Sequence, residues 1–546
     1  MTESEARSPG LSFVARWIAF ALIVLGGARL ALLATSDLHR RTLVFAAPDD
    51  AFYYLQIAWN LSRGLGSTFD GIHPTNGYQP AWCLLLAAIA RCVSSRAALL
   101  DASIGVAAAL HLVAGVMLAS TVPRAFVRCS APLLLALWLL GPQLEDFLHL
   151  EAPLNSVALA ALLACSLRAA RRGETGWREA GSWLALGLAA MLASLTRLDN
   201  AVLLPAIVSW VFLRGEGQRR DRVERAAWVA LPSGMALLVY AVLNWVYVGA
   251  PLPVSGTLKV GMQLHELRDL GRAGKLYELP MFVLATVKRA IVAGPARFTS
   301  AWFDREPWNG TWIAIAIPSA LAVAGAAAAG RAGLARDSSA RAWWRAVTVG
   351  VACHALFMLV MVGTFPREWH WMPEAVWLVV TASFAIPSLV DALASRLGGA
   401  VGFVRGAAAT ALTAGIAVVG WDSMFAACNG FAWGHLISNN QLRSAWHWNE
   451  VLPPGTRVGA WNAGYLAYFS DLQVVNLDGL VNAPDFARRV ENDRWLEYCR
   501  ETGIRYVEDV AGGAFDVLAR QAPLVERWRF RTSVEYVLLR IPDAAS

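Results

Sequence analysis

Pro48-Asp49-Asp50-Ala51-Phe52-Tyr53-Tyr54, with its continuation His73-Pro74-Thr75-Asn76-Gly77-Tyr78-Gln79-Pro80, is the segment against which the other parts of the chain are interpreted. It is polar and aromatic, carries two adjacent carboxylates, and follows the first long apolar run of a chain that is otherwise mostly hydrocarbon. Neighbouring acids at a membrane surface point to chemistry.

The chain has 546 residues, 57% of them hydrophobic and 16% charged. Its apolar runs recur at about 20 residues, the length that crosses a bilayer, so it reads as a polytopic membrane protein. The net charge of +7 comes from arginines in short loops between those runs, where they set orientation, and it argues for no nucleic-acid partner. Of seven cysteines, Cys83, Cys92, Cys165 and Cys353 lie in or beside apolar runs and none forms a CxxC pair, so no metal knuckle is written. Cys428 and Cys499 can pair outside the membrane, though inert thiols explain them as well.

The run from Phe13 to Leu33 is too long for a signal peptide core and lacks a small-residue cleavage site, so it reads as an uncleaved span behind a cytoplasmic tail, residues 1–12. Arg7 and Arg16 orient it, which puts Asp49 and Asp50 outside. Ala81 to Ala90 is short and closed by Arg91 and Arg96, so it is read as a juxtamembrane or re-entrant helix and not as a full span. With it skipped, spans near Leu99–Ser120, Ala131–Leu140, Ala152–Leu167, Ser182–Leu195, Ala201–Leu213, Ala226–Val248, Trp312–Ala329, Ala346–Val362, Pro373–Leu389 and Val404–Val419 keep the arginine-rich loops inside. The expectation is an all-α membrane domain over residues 13–430 with about eleven transmembrane helices and outer loops at 35–97 and 249–310. The acidic turn Glu145-Asp146, with Glu151, falls outside as well.

Beyond about Asn439 the hydropathy drops and strand and helix signals alternate, which predicts a small extracytoplasmic α/β domain over residues 439–546. Its expected strands are Arg457–Trp461, Val474–Leu477, Arg505–Val507 and Glu535–Ile541, with helices at Phe486–Cys499 and Ala514–Gln521. In the second outer loop, an amphipathic piece is expected near Met281–Ala296.

Asp49 and Asp50 are adjacent, so on a helix their side chains diverge by about 100° and only one can face a bound substrate. One carboxylate then serves as a general base toward a hydroxyl while the other holds an acceptor, a cation or a loop. Helix capping at Ala51–Ser62 is the competing reading, and both can hold. Phe52, Tyr53, Tyr54 and Trp59 read as interfacial anchors and Asn76-Gly77 as a turn with Tyr78 and His73 beside it; Tyr54, His73, Asn76 and Tyr78 are also candidates to line a cavity or meet an acceptor. The chain holds three lysines, Lys259, Lys275 and Lys288, against 44 arginines, all three in the second outer region. Where arginine is used almost everywhere, a retained lysine suits a compact ammonium facing phosphate, and Lys259 behind the Pro251-Leu252-Pro253 turn is the candidate. Arg367 and His370, in Arg367-Glu368-Trp369-His370-Trp371, can face an anionic headgroup, although snorkelling arginine and belt tryptophan explain them too. Arg197 and Asp199 lie at the junction of two short apolar runs and read as a structural ion pair or the lining of a wet cavity. Glu151 is a further cavity candidate, and Asn462, Asn476 and Asp478, at strand ends of the C-terminal domain, can bind an acceptor or simply shape turns.

One span followed by an outer Asp-Asp loop and an aromatic helix resembles the GT-C class of membrane glycosyltransferases. More narrowly, Asp49-Asp50-Ala51-Phe52 with Asn60, Gly64, Gly66, Gly77-Tyr78 and Pro80-Ala81-Trp82, and Tyr247-Val248-Gly249-Ala250-Pro251-Leu252-Pro253 before Lys259, are similar to the cell-wall arabinofuranosyltransferases and related bacterial transferases. The later tract reads Asn76-Gly77-Tyr78-Gln79 where those enzymes carry an acidic Glu-Gly-Tyr-Thr pattern. The resemblance implies a plasma (inner) membrane enzyme that moves a sugar, with inversion, from a polyprenyl-phosphate donor to a hydroxyl of an extracytoplasmic glycan, lipid or protein. It also implies a base at Asp49 or Asp50 and phosphate contact at Lys259 and Arg367. A divalent cation at the departing phosphate is compatible with this chemistry, and no metal ligand set is fixed by the sequence. Two other classes remain: a lipid-sugar flippase, which needs more polar residues inside the spans than Arg197 and Asp199 supply, and a non-catalytic scaffold.

Overall fold

The computed structural model describes residues 9–35, 48–121, 130–141, 150–171, 177–214, 218–291, 338–362, 368–396, 415, 436–490, 493–510, 513–529 and 534–543. The chain divides into two compact units. One comprises residues 1–35, 105–236 and 269–429, the other residues 36–104, 237–268 and 430–546.

Within the first unit the elements are helices. Gly26 packs where a methyl would lie 2.8 Å from the Leu139 side chain, so helix Pro9–Thr35 and helix Ser130–Leu139 meet at close range. Arg29, wholly buried, donates from Nη1 to the carbonyls of Leu139 and Gly141, which closes the free C-terminal end of the shorter helix. Trp343 donates to Ser166 and Trp377 to Thr348, tying three further helices together by indole hydrogen bonds at 2.7 and 3.0 Å.

Among the described residues, four helices are long and apolar enough to cross a bilayer: Arg96–Thr121, Ala152–Ala170, Arg219–Val248 and Ala342–Met361. The expected span at Ala131–Leu140 forms a helix of only 10 residues, about half the hydrocarbon thickness at 1.5 Å per residue. The expected spans Trp312–Ala329 and Val404–Val419 lie outside the described residues but for Gly415. The figure of eleven therefore rests on the sequence alone. Pro80–Cys92 is a helix of 13 residues with Pro80 at its first turn, where a missing N–H costs nothing.

The second unit contains the C-terminal sheet. Strands β1 (Arg457–Ala460), β2 (Gln473–Asn476), β3 (Tyr506–Val510), β4 (Leu524–Arg529) and β5 (Glu535–Arg540) lie in the order β2-β1-β3-β5-β4. β1 is parallel to β2 and β3, and β5 is antiparallel to β3 and β4. The three parallel strands are buried along almost their whole length, as strands covered on both faces are. Their core is built on Val475, Leu477, Tyr498, Val507, Leu518 and Leu539. The expected helix Phe486–Cys499 is instead two short ones, Phe486–Arg489 and Trp495–Glu501, because Asp493 between them takes φ +62°. Strand β4 was not expected from the sequence: it is an edge strand, largely exposed and rich in charge, so it lacks an apolar face to announce it. Helix Val254–Arg272 was not expected either, since its polar composition gives no apolar stripe.

Candidate active site

Helix Asp49–Ser62 begins after Pro48, whose extended backbone (φ −61°, ψ 149°) ends the approach, and its first two residues are the acids. The aromatic residues that follow are buried rather than belted at an interface: Phe52 and Tyr53 are 1% and 4% exposed. Phe52 packs on Tyr465 and Phe469 with ring centroids 4.3 and 5.1 Å apart, so these rings bury one helix against another and are not membrane anchors.

The two acids have different surroundings. Asp49 accepts from the backbone N–H of Gly464 and of Tyr465, both at 2.9 Å, one with each oxygen. It thus caps a helix, but helix Ala463–Phe469 of the C-terminal domain and not its own. The approach demands glycine: a Cβ on Gly464 would sit 2.2 Å from the Asp49 carbonyl oxygen. Burial pushes Asp49 up to about 7 against the pull of the two amides. Asp50 is partly exposed and, among the described residues, its carboxylate makes no hydrogen bond or ion pair.

Around Asp50 the C-terminal domain supplies the ends of its parallel strands, the usual place for a ligand in a sheet of this kind. Tyr53 donates its hydroxyl to Asp478 at 2.7 Å and accepts from Asn476 at 3.2 Å. Asp478 also accepts the Leu480 N–H at 2.7 Å, and burial pushes its carboxyl up to about 7, with the charge of Asp50 adding to the shift. Asn462 donates its side-chain amide to Asp509, which also takes the backbone N–H of Trp461 and of Asn462. Asn462 therefore shapes the loop after β1, and Asp509 is the residue that composition did not single out. Its neighbour Glu508 holds Ser444 and Trp448, and burial raises it to about 8.

Asn76 and Gly77 are a clamp. Asn76 donates to the carbonyls of Ala250 and Leu252 and accepts the Val254 N–H, each at 3.0 Å, so it pins the turn that starts helix Val254–Arg272. Gly77 lies so near Leu480 that a Cβ would stand 1.8 Å from its carbonyl oxygen. Lys259 sits on the second turn of the pinned helix, and Leu258 beside it reaches Gly479 of the Asp478 loop. Tyr54 accepts the Gln79 N–H and Tyr78 bonds Ser67, which holds the loop itself together. His73 is not brought to the acids: its Nδ1 lies 2.5 Å from Asp70 in a local turn.

The remaining candidates belong to the first unit. Arg197 pairs with Asp199, as its spacing suggested, and also with Glu151, while His354 pairs with Glu374 at 2.8 Å and stands 4.0 Å from Asp199. His370 is buried beside Trp369. Arg367, Glu145, Asp146 and Cys428 lie outside the described residues.

A cation would need several open donors. Among the described residues no three His, Cys, Asp or Glu are spaced to hold a metal.

A profile described as "Domain of unknown function (DUF8728)" matches residues 435–540, the C-terminal domain. No curated protein matches the chain by sequence. Among solved structures, the chain is similar to ArnT from Cupriavidus metallidurans bound to undecaprenyl phosphate, with TM-score 0.54 and 12% identity over 99% of this chain and 100% of that one. It is also similar to the archaeal oligosaccharyltransferase AglB from Archaeoglobus fulgidus, in complex with an inhibitory peptide and a dolichol-phosphate, with TM-score 0.52 and 14% identity over 90% of this chain and 69% of that one. The likeness to these two structures is one of fold.

Proposed function

We propose that the chain is a GT-C glycosyltransferase that moves a sugar from a polyprenyl-phosphate donor to a hydroxyl of an extracytoplasmic acceptor, with inversion, and that Asp50 is its general base. The observation that carries this reading is the division between the acids: Asp49 is spent on two backbone amides, and Asp50 beside it has no such bond among the described residues. In the reaction the acceptor hydroxyl gives its proton to Asp50 as its oxygen bonds the anomeric carbon. The bond from that carbon to the phosphate oxygen breaks, and polyprenyl phosphate leaves with the electron pair. Lys259 meets the phosphate, whose negative charge grows in the transition state. The lipid carriers bound in the two similar structures support a donor of this class.

The test is transfer from a panel of polyprenyl-phosphate sugars by the purified chain in lipid nanodiscs. Asp50→Asn is expected to lower turnover about 10²–10⁴-fold with the melting temperature kept. Turnover unchanged in a folded Asp50→Asn chain would remove Asp50 as the base.

A further inference from the structure

Resting on that reading, we infer that the acceptor is a sugar presenting two adjacent hydroxyls, and that Asp478 of the C-terminal domain is the residue that selects it. One hydroxyl gives its proton to Asp50 while its neighbour donates a hydrogen bond to Asp478.

Asp478 is held for this task from two sides. Its Oδ2 accepts from the Tyr53 hydroxyl and its Oδ1 from the Leu480 N–H, both at 2.7 Å. The Tyr53 hydroxyl is itself fixed between the Asn476 amide and the Trp461 carbonyl, both at 3.2 Å. Tyr53 stands three residues after Asp50 on one helix, so the two side chains share a face, and the carboxylate that Tyr53 holds is brought to the Asp50 side. The charge of Asp50 accordingly acts on Asp478.

Above about pH 7, where the Asp478 carboxyl is ionised, it only accepts hydrogen bonds, and each oxygen has a second lone pair beyond the bond already made. Two such groups side by side repel, and the partner that satisfies both brings two O–H donors at once. Adjacent hydroxyls of a sugar do this, whereas a serine or threonine side chain offers one.

The experiment is binding to the full chain in nanodiscs, read by saturation-transfer NMR, so that it does not depend on turnover. The probes are methyl glycosides of arabinofuranose, mannose and glucose, their analogues lacking one of the paired hydroxyls, and N-acetylserinamide. At least one glycoside is expected to bind, its deoxy analogue and the serine amide about tenfold or more weakly, and Asp478→Asn is expected to erase that preference. Tyr53→Phe keeps the Asp478 charge and loses its orientation, so it should weaken binding less; it carries the test should Asp478→Asn fail to fold. Asp50→Asn should still prefer the intact glycoside. Equal binding of intact and deoxy probes, an undiminished preference in folded Asp478→Asn, or no glycoside binding at all overturns the inference. Failure of the transferase reading looks different: glycosides bind as expected while transfer survives Asp50→Asn.

Discussion

Gly464 is the residue at which the site is most tightly built. A methyl there would stand 2.2 Å from the Asp49 carbonyl oxygen and 2.8 Å from its Oδ1, distances that force the backbone to move. Gly464→Ala is expected to cost about 1–3 kcal/mol through overpacking and to lower the melting temperature; a melt identical to wild type would remove the latch. That Asp49 and Asp50 meet different surroundings was legible in the sequence, because adjacent helical residues diverge. Which acid meets which was not, because the amides that occupy Asp49 are 415 and 416 positions away. The aromatic residues after it misled for the same reason. Phe52 looked like an interfacial ring because its partners, Tyr465 and Phe469, lie near the other end of the chain.

At the level of single elements, the Asn76 clamp fixes where helix Val254–Arg272 begins and so where Lys259 stands. Asn76→Ala leaves two carbonyls and one N–H without their partner, a loss of about 1–3 kcal/mol for each group that water cannot reach. If Lys259 meets the donor phosphate, this variant should raise KM for the lipid donor at least several-fold while kcat changes less, measured in the same transfer assay. A fall in kcat with KM unchanged would place the clamp elsewhere in the mechanism. The elements that the sequence revealed are those with a marked apolar run, such as Arg96–Thr121 and the strands β1, β2, β3 and β5. The ones it hid lack it: β4 is an exposed edge, and the break at Asp493 is a backbone turn that no apolar pattern records.

For the molecule as a whole, the buried acids set a pH dependence of stability. Asp49 and Asp478 are raised to about 7 and Glu508 to about 8, each above its ordinary carboxylate value, with burial the main cause. The folded chain therefore holds protons that the unfolded chain releases from about pH 4 upward. The stabilisation is complete below the unfolded values and is lost as pH rises through about 7–8. A thermal scan should show a melting temperature at least a few degrees lower at pH 9 than at pH 5, with a shallower slope in Asp478→Asn. A melting temperature that climbs across that range would contradict the burial of these groups.

The Asp49 latch also has a consequence for how the protein is made. Ribosomes add about 5–20 residues per second, and the amide that completes the latch is encoded 415 residues after the acid. The helix carrying Asp50 must therefore wait, aromatic face uncovered, for about 20–80 s of synthesis before its partner emerges. A message cut short anywhere upstream of codon 464 yields a polypeptide with that greasy face permanently bare, a ready signal for disposal of unfinished copies.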